Sequence, residues 1–497
     1  MINVFNNPQK YIEEINDSIK MEKISVYPGK SMAVVFLTKF CPVECPFCFF
    51  HSKQKKDEAI TEQNEFSTDG IVKLSDFLNS VNVETLEISG GGEPFENFEQ
   101  LVQLIKMVKS DKIIIVTSGY WATNEGQTSK VLNTINEIVK TKNDEVDVTL
   151  RLSVDKFHAI KVPGDNVKNI VNCFDENRDI WNNFRLKIHT IENDNTFFNL
   201  IYNDVVLMAQ SNNKYKASTT SGYVFDVEVA KMFYPNLKVN LNNYDSSQRA
   251  KNVFLKDIES SPLNNLSIYR DREGKYGLDF LIDYSGNITT WGNYQIENIS
   301  NIYIDDKSEI MKKIYRDPIS YSFLTLSYNQ RDALVREINE KAADRAMCIN
   351  IRDYSGAYLL QEKDTQLFYQ LAVVKHFVEE GLISKMALNS LSSDLKDVFS
   401  LNKDELKRLY NESNFDIIKQ ISKEQMNNEI LYDLCDLVNC GHYTIKDIET
   451  YKQIVQFLKD KEINKENQQE RLTSYLSNKQ NYNEPTKNEK EGLDKKK

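Results

Sequence analysis

The sequence predicts an α/β protein built on a parallel sheet with helices outside it, followed by a mostly helical C-terminal region. Three observations carry this. Short apolar runs alternate with amphipathic stretches from residue 31 to about residue 200. The runs, such as Lys112–Thr117 (KIIIVT), are rich in β-branched residues and too short for helices. The stretches between them repeat apolar residues at three- and four-residue spacing. Repeated strand–helix units of this length make neighbouring strands parallel, in a sheet that is either open or closed as a barrel.

In chain order, residues 11–21 predict a short amphipathic helix within an N-terminal lead-in, 1–30. Residues 31–40 (SMAVVFLTKF) predict the first buried strand. Ile71, Leu74, Leu78 and Val81 share one helical face over 70–81, and 84–89 (ETLEIS) predicts the second strand. Phe98, Leu101, Val102, Ile105 and Val108 mark the next helix, and 112–117 the third strand. Val131, Leu132, Ile135, Ile138 and Val139 mark another helix before the fourth strand, 146–154 (VDVTLRLSV). A helix over 167–181 and a strand at 184–191 (FRLKIHTI) follow. After about residue 200 the rhythm weakens: 205–209 and 238–241 predict further strands of the same sheet. Residues 276–292 (YGLDFLIDYSGNITTWG) predict a hairpin turning at Ser285, Gly286 and Asn287. From 308 to 461 the pattern is mostly helical, strongest at 367–383 and again at 429–438 and 448–458. The expected layout is a lead-in (1–30), an α/β domain with the hairpin (31–305), a helical region (306–476) and a disordered tail (477–497) poor in apolar residues.

The chain has 497 residues, enough for two or three domains, with 62 basic and 73 acidic side chains and a net charge of −11. So acidic a chain is a poor general binder of nucleic acid or anionic membranes. No apolar run reaches the length of a transmembrane helix, and the polar N-terminus lacks the apolar core of a signal peptide. A cytoplasmic location is expected. Seven cysteines, three of them within eight residues, are clustered in the manner of a metal site rather than spread as a disulfide framework.

Those three are Cys41, Cys45 and Cys48 in CPVECPFCFFH, directly after the first predicted strand. Their Cys-x3-Cys-x2-Cys spacing lets three thiolates on one loop face a single metal centre. Two fillings stand open. A zinc ion would take Cys41, Cys45, Cys48 and His51 as a closed tetrahedral site, which suits a non-catalytic interaction protein. An iron–sulfur cluster, which ordinarily takes four thiolates, would leave one iron to another ligand.

With Phe47 in the aromatic position before the third cysteine, this motif resembles that of the radical S-adenosylmethionine (radical SAM) superfamily. The resemblance extends to Ser89-Gly90-Gly91-Gly92-Glu93-Pro94 after the second strand, and to Thr117-Ser118-Gly119-Tyr120-Trp121 after the third. It also takes in residues 151–158 (RLSVDKFH), from Arg151 to His158, at the end of the fourth. It implies a partial (β/α)6 barrel and one 4Fe–4S cluster on Cys41, Cys45 and Cys48. It also implies S-adenosylmethionine (SAM) bound near Phe47, Gly91, Gly92, Glu93, Ser153 and Asp155, with Glu93 meeting the SAM amino group. The implied activity is reductive cleavage of SAM to a 5′-deoxyadenosyl radical that takes hydrogen from a substrate. Electrons would come from a flavodoxin or ferredoxin-like donor. A lone Gly-Gly-Gly-Glu-Pro is otherwise an ordinary turn, and Ser153 or Asp155 an ordinary helix cap. Together, the three segments fall in order at the C-terminal ends of parallel strands, where α/β folds place ligands.

The resemblance covers residues 31–200 and says little of 310–497. Only Cys348, Cys435 and Cys440 lie downstream, too few for the auxiliary-cluster domain of many relatives, so one cluster is expected. Cys435, Cys440 and His442 have some ligand character, but on or beside a helix Cys435 and Cys440 read as a buried thiol pair, and Cys173 reads as core. Cys348 is a candidate hydrogen-atom donor, as a cysteine is in some peptide epimerases of the superfamily, with a structural thiol as the alternative. His189 either points into the barrel or sits satisfied in the core; His376 reads as structural. The substrate is expected to be a peptide, such as a ribosomal precursor whose leader the helical region binds, or else a small metabolite such as a nucleoside or sugar.

Overall fold

The computed structural model describes residues 3–43, 52, 54–55, 64–142, 145–155, 158–191, 196–201, 205–211, 214–230, 267–290, 299–326, 330–331, 333–334 and 363–410. The chain divides into two compact units, Met1–Met232 with Ile258–Phe415, and Phe233–Asp257 with Asp416–Lys497. The second lies outside the described residues, as do the strand expected at 238–241, the helices at 429–438 and 448–458, and the tail.

The first unit is built on one sheet. Its strands are β1 (Ser31–Phe36), β2 (Val83–Ser89), β3 (Lys112–Thr117), β4 (Asp147–Ser153), β5 (Phe184–Ile191) and β6 (Val205–Ser211). They continue with β7 (Lys214–Thr219), β8 (Val224–Ala230), β9 (Ile268–Arg270), β10 (Tyr276–Ile282), β11 (Asn287–Thr290) and β12 (Ser300–Asn301). The spatial order is β12-β11-β10-β1-β2-β3-β4-β5-β8-β7-β6, with β9 pairing off the path on β10. From β10 through β1–β5 to β8 every neighbour is parallel. The hydrogen-bonded path does not close on itself among the described residues, which is consistent with a partial α/β barrel.

Helices α1 (Pro8–Ser18), α2 (Thr68–Ser80), α3 (Phe98–Met107), α4 (Glu125–Val139), α5 (Gly164–Glu176) and α6 (Thr196–Ile201) precede or link the strands. Their starts follow local chemistry: Ser67 Oγ accepts from Gly70 N at α2, and Asn124 Oδ1 from Gln127 N at α4. One sheet face packs on these helices. Phe77 of α2 meets Phe280 of β10 edge-on at 5.5 Å, and Phe174 of α5 meets Phe184 of β5 at 4.9 Å. Ile88, Ile115, Leu150 and Ile188 bury fully on that face.

Five expected strands and their helices are present, with two differences. The first strand ends at Phe36 rather than continuing to residue 40, because the chain turns away to pair with the segment before α2: Phe66 N donates to Leu37 O and Lys39 N to Asn64 O. Residues 205–211 do join the sheet, but as its antiparallel edge; the parallel strand beside β5 is β8. The turns from β6 to β7 and from β7 to β8 are too short for a crossover, so both pairs are antiparallel. The expected hairpin is β10–β11, with Gly286 at φ +78° and Asp283 accepting from Ser285 N and Asn287 N.

Beyond the sheet lie α7 (Lys307–Arg316), α8 (Pro318–Thr325), α9 (Lys363–Glu379) and α10 (Ser393–Ser400). The lead-in belongs to their core. Phe5 stacks on Phe368 of α9 at 6.4 Å and meets Tyr410 edge-on at 5.2 Å. Tyr11 Oη donates to Asp394 Oδ2 at 2.9 Å. Among the described residues, no helix is long and apolar enough to cross a membrane.

Candidate cofactor site

The C-terminal ends of β1–β4 carry the segments singled out in the sequence. Cys41 lies five residues beyond β1, half-buried and outside any disulfide. Its approach is held by backbone: Glu93 N donates to Phe40 O at 2.7 Å, and Phe40 N to Thr38 Oγ1 at 3.1 Å. Gly91 adopts φ +96°, which favours glycine. A Cβ on Gly92 would stand 2.2 Å from Phe40 O and 2.6 Å from Phe40 N, so only glycine lets the loop after β2 lie against the exit of β1. Ser52, just past the cysteine segment, donates its hydroxyl to Gly91 O.

Glu93 is 3% exposed, and its carboxylate spans the exits of β2 and β3. Oε1 accepts from Thr117 Oγ1 at 2.8 Å and Phe95 N at 3.4 Å; Oε2 accepts from Ser118 N at 2.8 Å and Ser118 Oγ at 2.7 Å. Burial raises this carboxyl above its ordinary pKa, against the opposing pull of the Ser118, Thr117 and Phe95 donors. Thr117 Oγ1 in turn accepts from Gly119 N and Trp121 Nε1, both at 3.0 Å. The Trp121 ring stacks on Phe95 at 4.4 Å, and Tyr120 Oη donates to Glu96.

At the exit of β4, Ser153 is half-buried and in register with His189 of β5. Asp155 is buried; its Oδ1 accepts from His158 N at 3.0 Å and its Oδ2 stands 2.7 Å from His158 Nδ1. This is the local cap that Asp155 suggested, with a histidine added. A cavity of about 490 Å³ is lined by Pro42 and Val43, the two residues after Cys41, with Tyr120, Thr123, Lys161 and Asn166 among others.

The sheet face away from the helices is divided in character. On β1, on β10 and in the turn after it, Met32, Val34, Phe36, Leu281 and Tyr284 form an apolar cluster. On β2, β4, β5 and β8 the same face carries charge. Arg151 grips Glu87 with both amino groups, at 2.7 and 3.2 Å, and Lys187 pairs with Glu228. His189 lies between them, its pKa pushed down to about 4 by burial and by Arg151, so the imidazole is neutral near pH 7. His189 therefore points to this inner face, one of its two expected positions. The Glu87–Arg151 and Lys187–Glu228 pairs were not singled out from the sequence. A signal was present: each charge interrupts an otherwise apolar strand at a two-residue spacing, as in TLEIS and TLRLS.

Cys173 is buried on α5 and its thiol is raised to about 11 by burial, in keeping with a core residue. His376 packs against Phe377 at 5.5 Å within α9. Cys45, Phe47, Cys48, His51, Cys348, Cys435, Cys440 and His442 lie outside the described residues. Among the described residues, no three metal-ligating side chains converge. What is described still fits a cluster loop. Cys41 is half-buried, and Gly90 and Gly92 beside it are half-buried and bring no side chains of their own.

Residues 27–156 match a family model described as a 4Fe–4S single cluster domain. The match spans β1 to the exit of β4, includes all three clustered cysteines, and supports both a 4Fe–4S cluster and the radical SAM resemblance. No curated protein matches the chain. Among solved structures, the chain is similar to hexahistidine-tagged anSMEcpe with bound AdoMet, at 12% identity and a TM-score of 0.36 over 75% of this chain and 98% of that one. It is similarly related to native anSMEcpe with bound AdoMet and Kp18Cys peptide, at 11% identity and a TM-score of 0.36 over 72% and 100%. The fold is read from the strand order, and the 4Fe–4S cluster from the domain match.

Proposed function

We propose that the chain is a radical SAM enzyme whose cluster is held by Cys41, Cys45 and Cys48. The observation that supports it best is the 4Fe–4S domain match over 27–156. It coincides with three loops gathered at the C-terminal ends of parallel strands around Cys41. When bound, a 4Fe–4S cluster with SAM supplies reductive cleavage of the sulfonium and a 5′-deoxyadenosyl radical that abstracts hydrogen from the substrate.

The chain's own part is to hold and to shield. The half-buried, side-chain-free Gly90 and Gly92 suit close approach of the SAM amino group, and Ser153 and Asp155 stand at the next exit but one to receive its polar remainder. The inner sheet face is apolar around Met32, Val34 and Phe36, of which Met32 is only partly buried, and charged at Arg151, Lys187 and Glu228. That division suits a peptide, which presents apolar side chains and a polar backbone together; a small metabolite is the competing substrate class. A flavodoxin or ferredoxin-like protein is the proposed electron donor.

The test is anaerobic reconstitution with iron and sulfide. About four irons per chain and a cluster spectrum are expected, abolished by Cys41→Ala, Cys45→Ala or Cys48→Ala and unchanged by Cys348→Ala, Cys435→Ala or Cys440→Ala. One bound zinc in place of iron would establish the interaction-protein reading instead.

A further inference from the structure

We propose that Glu93 is a positioning residue: its carboxylate ties the loops leaving β2 and β3 together while its backbone N–H holds the exit of β1, so the side chain is spent on the fold and not on the amino group of SAM. The inference rests on the radical SAM reading and revises the role that the resemblance gives this side chain.

A carboxylate has room for about four hydrogen bonds. Glu93 already receives four, from Thr117 Oγ1, Phe95 N, Ser118 N and Ser118 Oγ. At 3% exposure it has no face left for an ammonium group. The brace is also directional. Thr117 can donate only one proton, which goes to Glu93, and its oxygen accepts from Gly119 N and Trp121 Nε1. The exit of β3 is thus oriented by the carboxylate. On the other side, Glu93 N holds Phe40 O, the residue before Cys41. Three strand exits therefore converge on one residue, and shifting it moves the first cysteine and the glycine loop together.

Glu93→Gln places an amide NH2 where an oxygen accepted, so either the Ser118 pair or the Thr117–Phe95 pair loses its acceptor. Thr117→Val and Ser118→Ala remove donors from the other side without touching the carboxylate.

The experiment uses the full chain, reconstituted anaerobically, with two readouts: the rate at which a chelator strips bound metal, and SAM affinity by equilibrium binding. A brace predicts that Glu93→Gln and Thr117→Val each hasten metal loss about tenfold and weaken SAM binding in parallel, as expected for hydrogen bonds to a buried charge. The double variant should be little worse than either single, because both cut one brace, and Thr117→Ser should restore wild-type behaviour. The opposite result overturns the proposal: Glu93→Gln weakening SAM binding while metal loss stays at the wild-type rate and Thr117→Val and Ser118→Ala are silent. Wild-type protein that holds metal but never binds SAM would refute the radical SAM reading instead, and the metal-loss rates would still decide whether the brace exists.

Discussion

At the N-terminal end of the parallel strands, Glu84 lies buried beside a cation. Lys30 Nζ stands 3.7 Å away, and Tyr269 Oη and Arg272 N donate to its carboxylate at 2.9 and 3.1 Å. At the C-terminal end Glu93 is equally buried, yet its four donors are hydroxyls and backbone amides, all neutral. The surroundings differ in the same sense. Lys30 also pairs with Asp111 at 2.7 Å and its backbone N–H donates to Asp271, so the first end is tied by ion pairs together with backbone hydrogen bonds. The second end has a half-buried thiol at Cys41 and a cavity lined by the next two residues, Pro42 and Val43. One end of the sheet uses its polar groups to hold strands together. The other uses them to hold loops in place while leaving backbone and a thiol partly accessible.

Two glycines offer the strongest way to break this comparison. Gly92 at the cofactor end and Gly277 at the far end both lie against backbone: a Cβ would stand 2.2 Å from Phe40 O in one and 2.0 Å from Lys30 O in the other. Backbone cannot rotate aside, so Gly92→Ala and Gly277→Ala should each cost about 3 kcal/mol, the upper end for overpacking, in denaturant unfolding. Iron content should separate them. Gly92→Ala should fail to load iron, and Gly277→Ala, where it folds, should load fully; equal loading would erase the distinction between the two ends.

A smaller effect follows from His189 on the inner face. Its folded pKa of about 4 lies below the unfolded value, so between those values the unfolded chain binds the extra proton. Its contribution to stability is complete above about pH 6.5 and is lost as pH falls toward 4, about 3 kcal/mol in all. Urea midpoints of the metal-free chain should fall over that window, and His189→Gln should flatten this component. An unchanged slope would mean the histidine is solvated and the inner face is wetter than its burial implies.

The smallest expected effect is at Glu84. Glu84→Gln should lower stability by about 1–2 kcal/mol, since Lys30 is itself partly exposed and loses only a screened partner. Iron loading and SAM affinity should not move; a fall in either would show that the far end reaches the cofactor site.

Local pattern made much of this legible. KIIIVT reads as a strand from its length and β-branched residues, and the spacing of Ile71, Leu74 and Leu78 reads as one face of a helix, because period and side-chain shape act within a few residues. The cysteine spacing, the glycine run and their order along the chain likewise mark the site from sequence, since a loop ligand set is itself local. The sequence did not reveal that β8 rather than 205–211 would stand beside β5, since strand order depends on non-local pairing among segments of similar propensity. It could not assign Glu93 a bracing role either. Thr117 and Ser118 lie 24 and 25 residues away, and only the parallel packing of β2 on β3 brings them to its carboxylate. The residue types and their order were thus determined by the sequence alone. Which groups are engaged inside the protein, and which stay open to a ligand, was decided by tertiary contact, because a hydrogen bond requires a partner within about 3 Å that sequence separation does not measure.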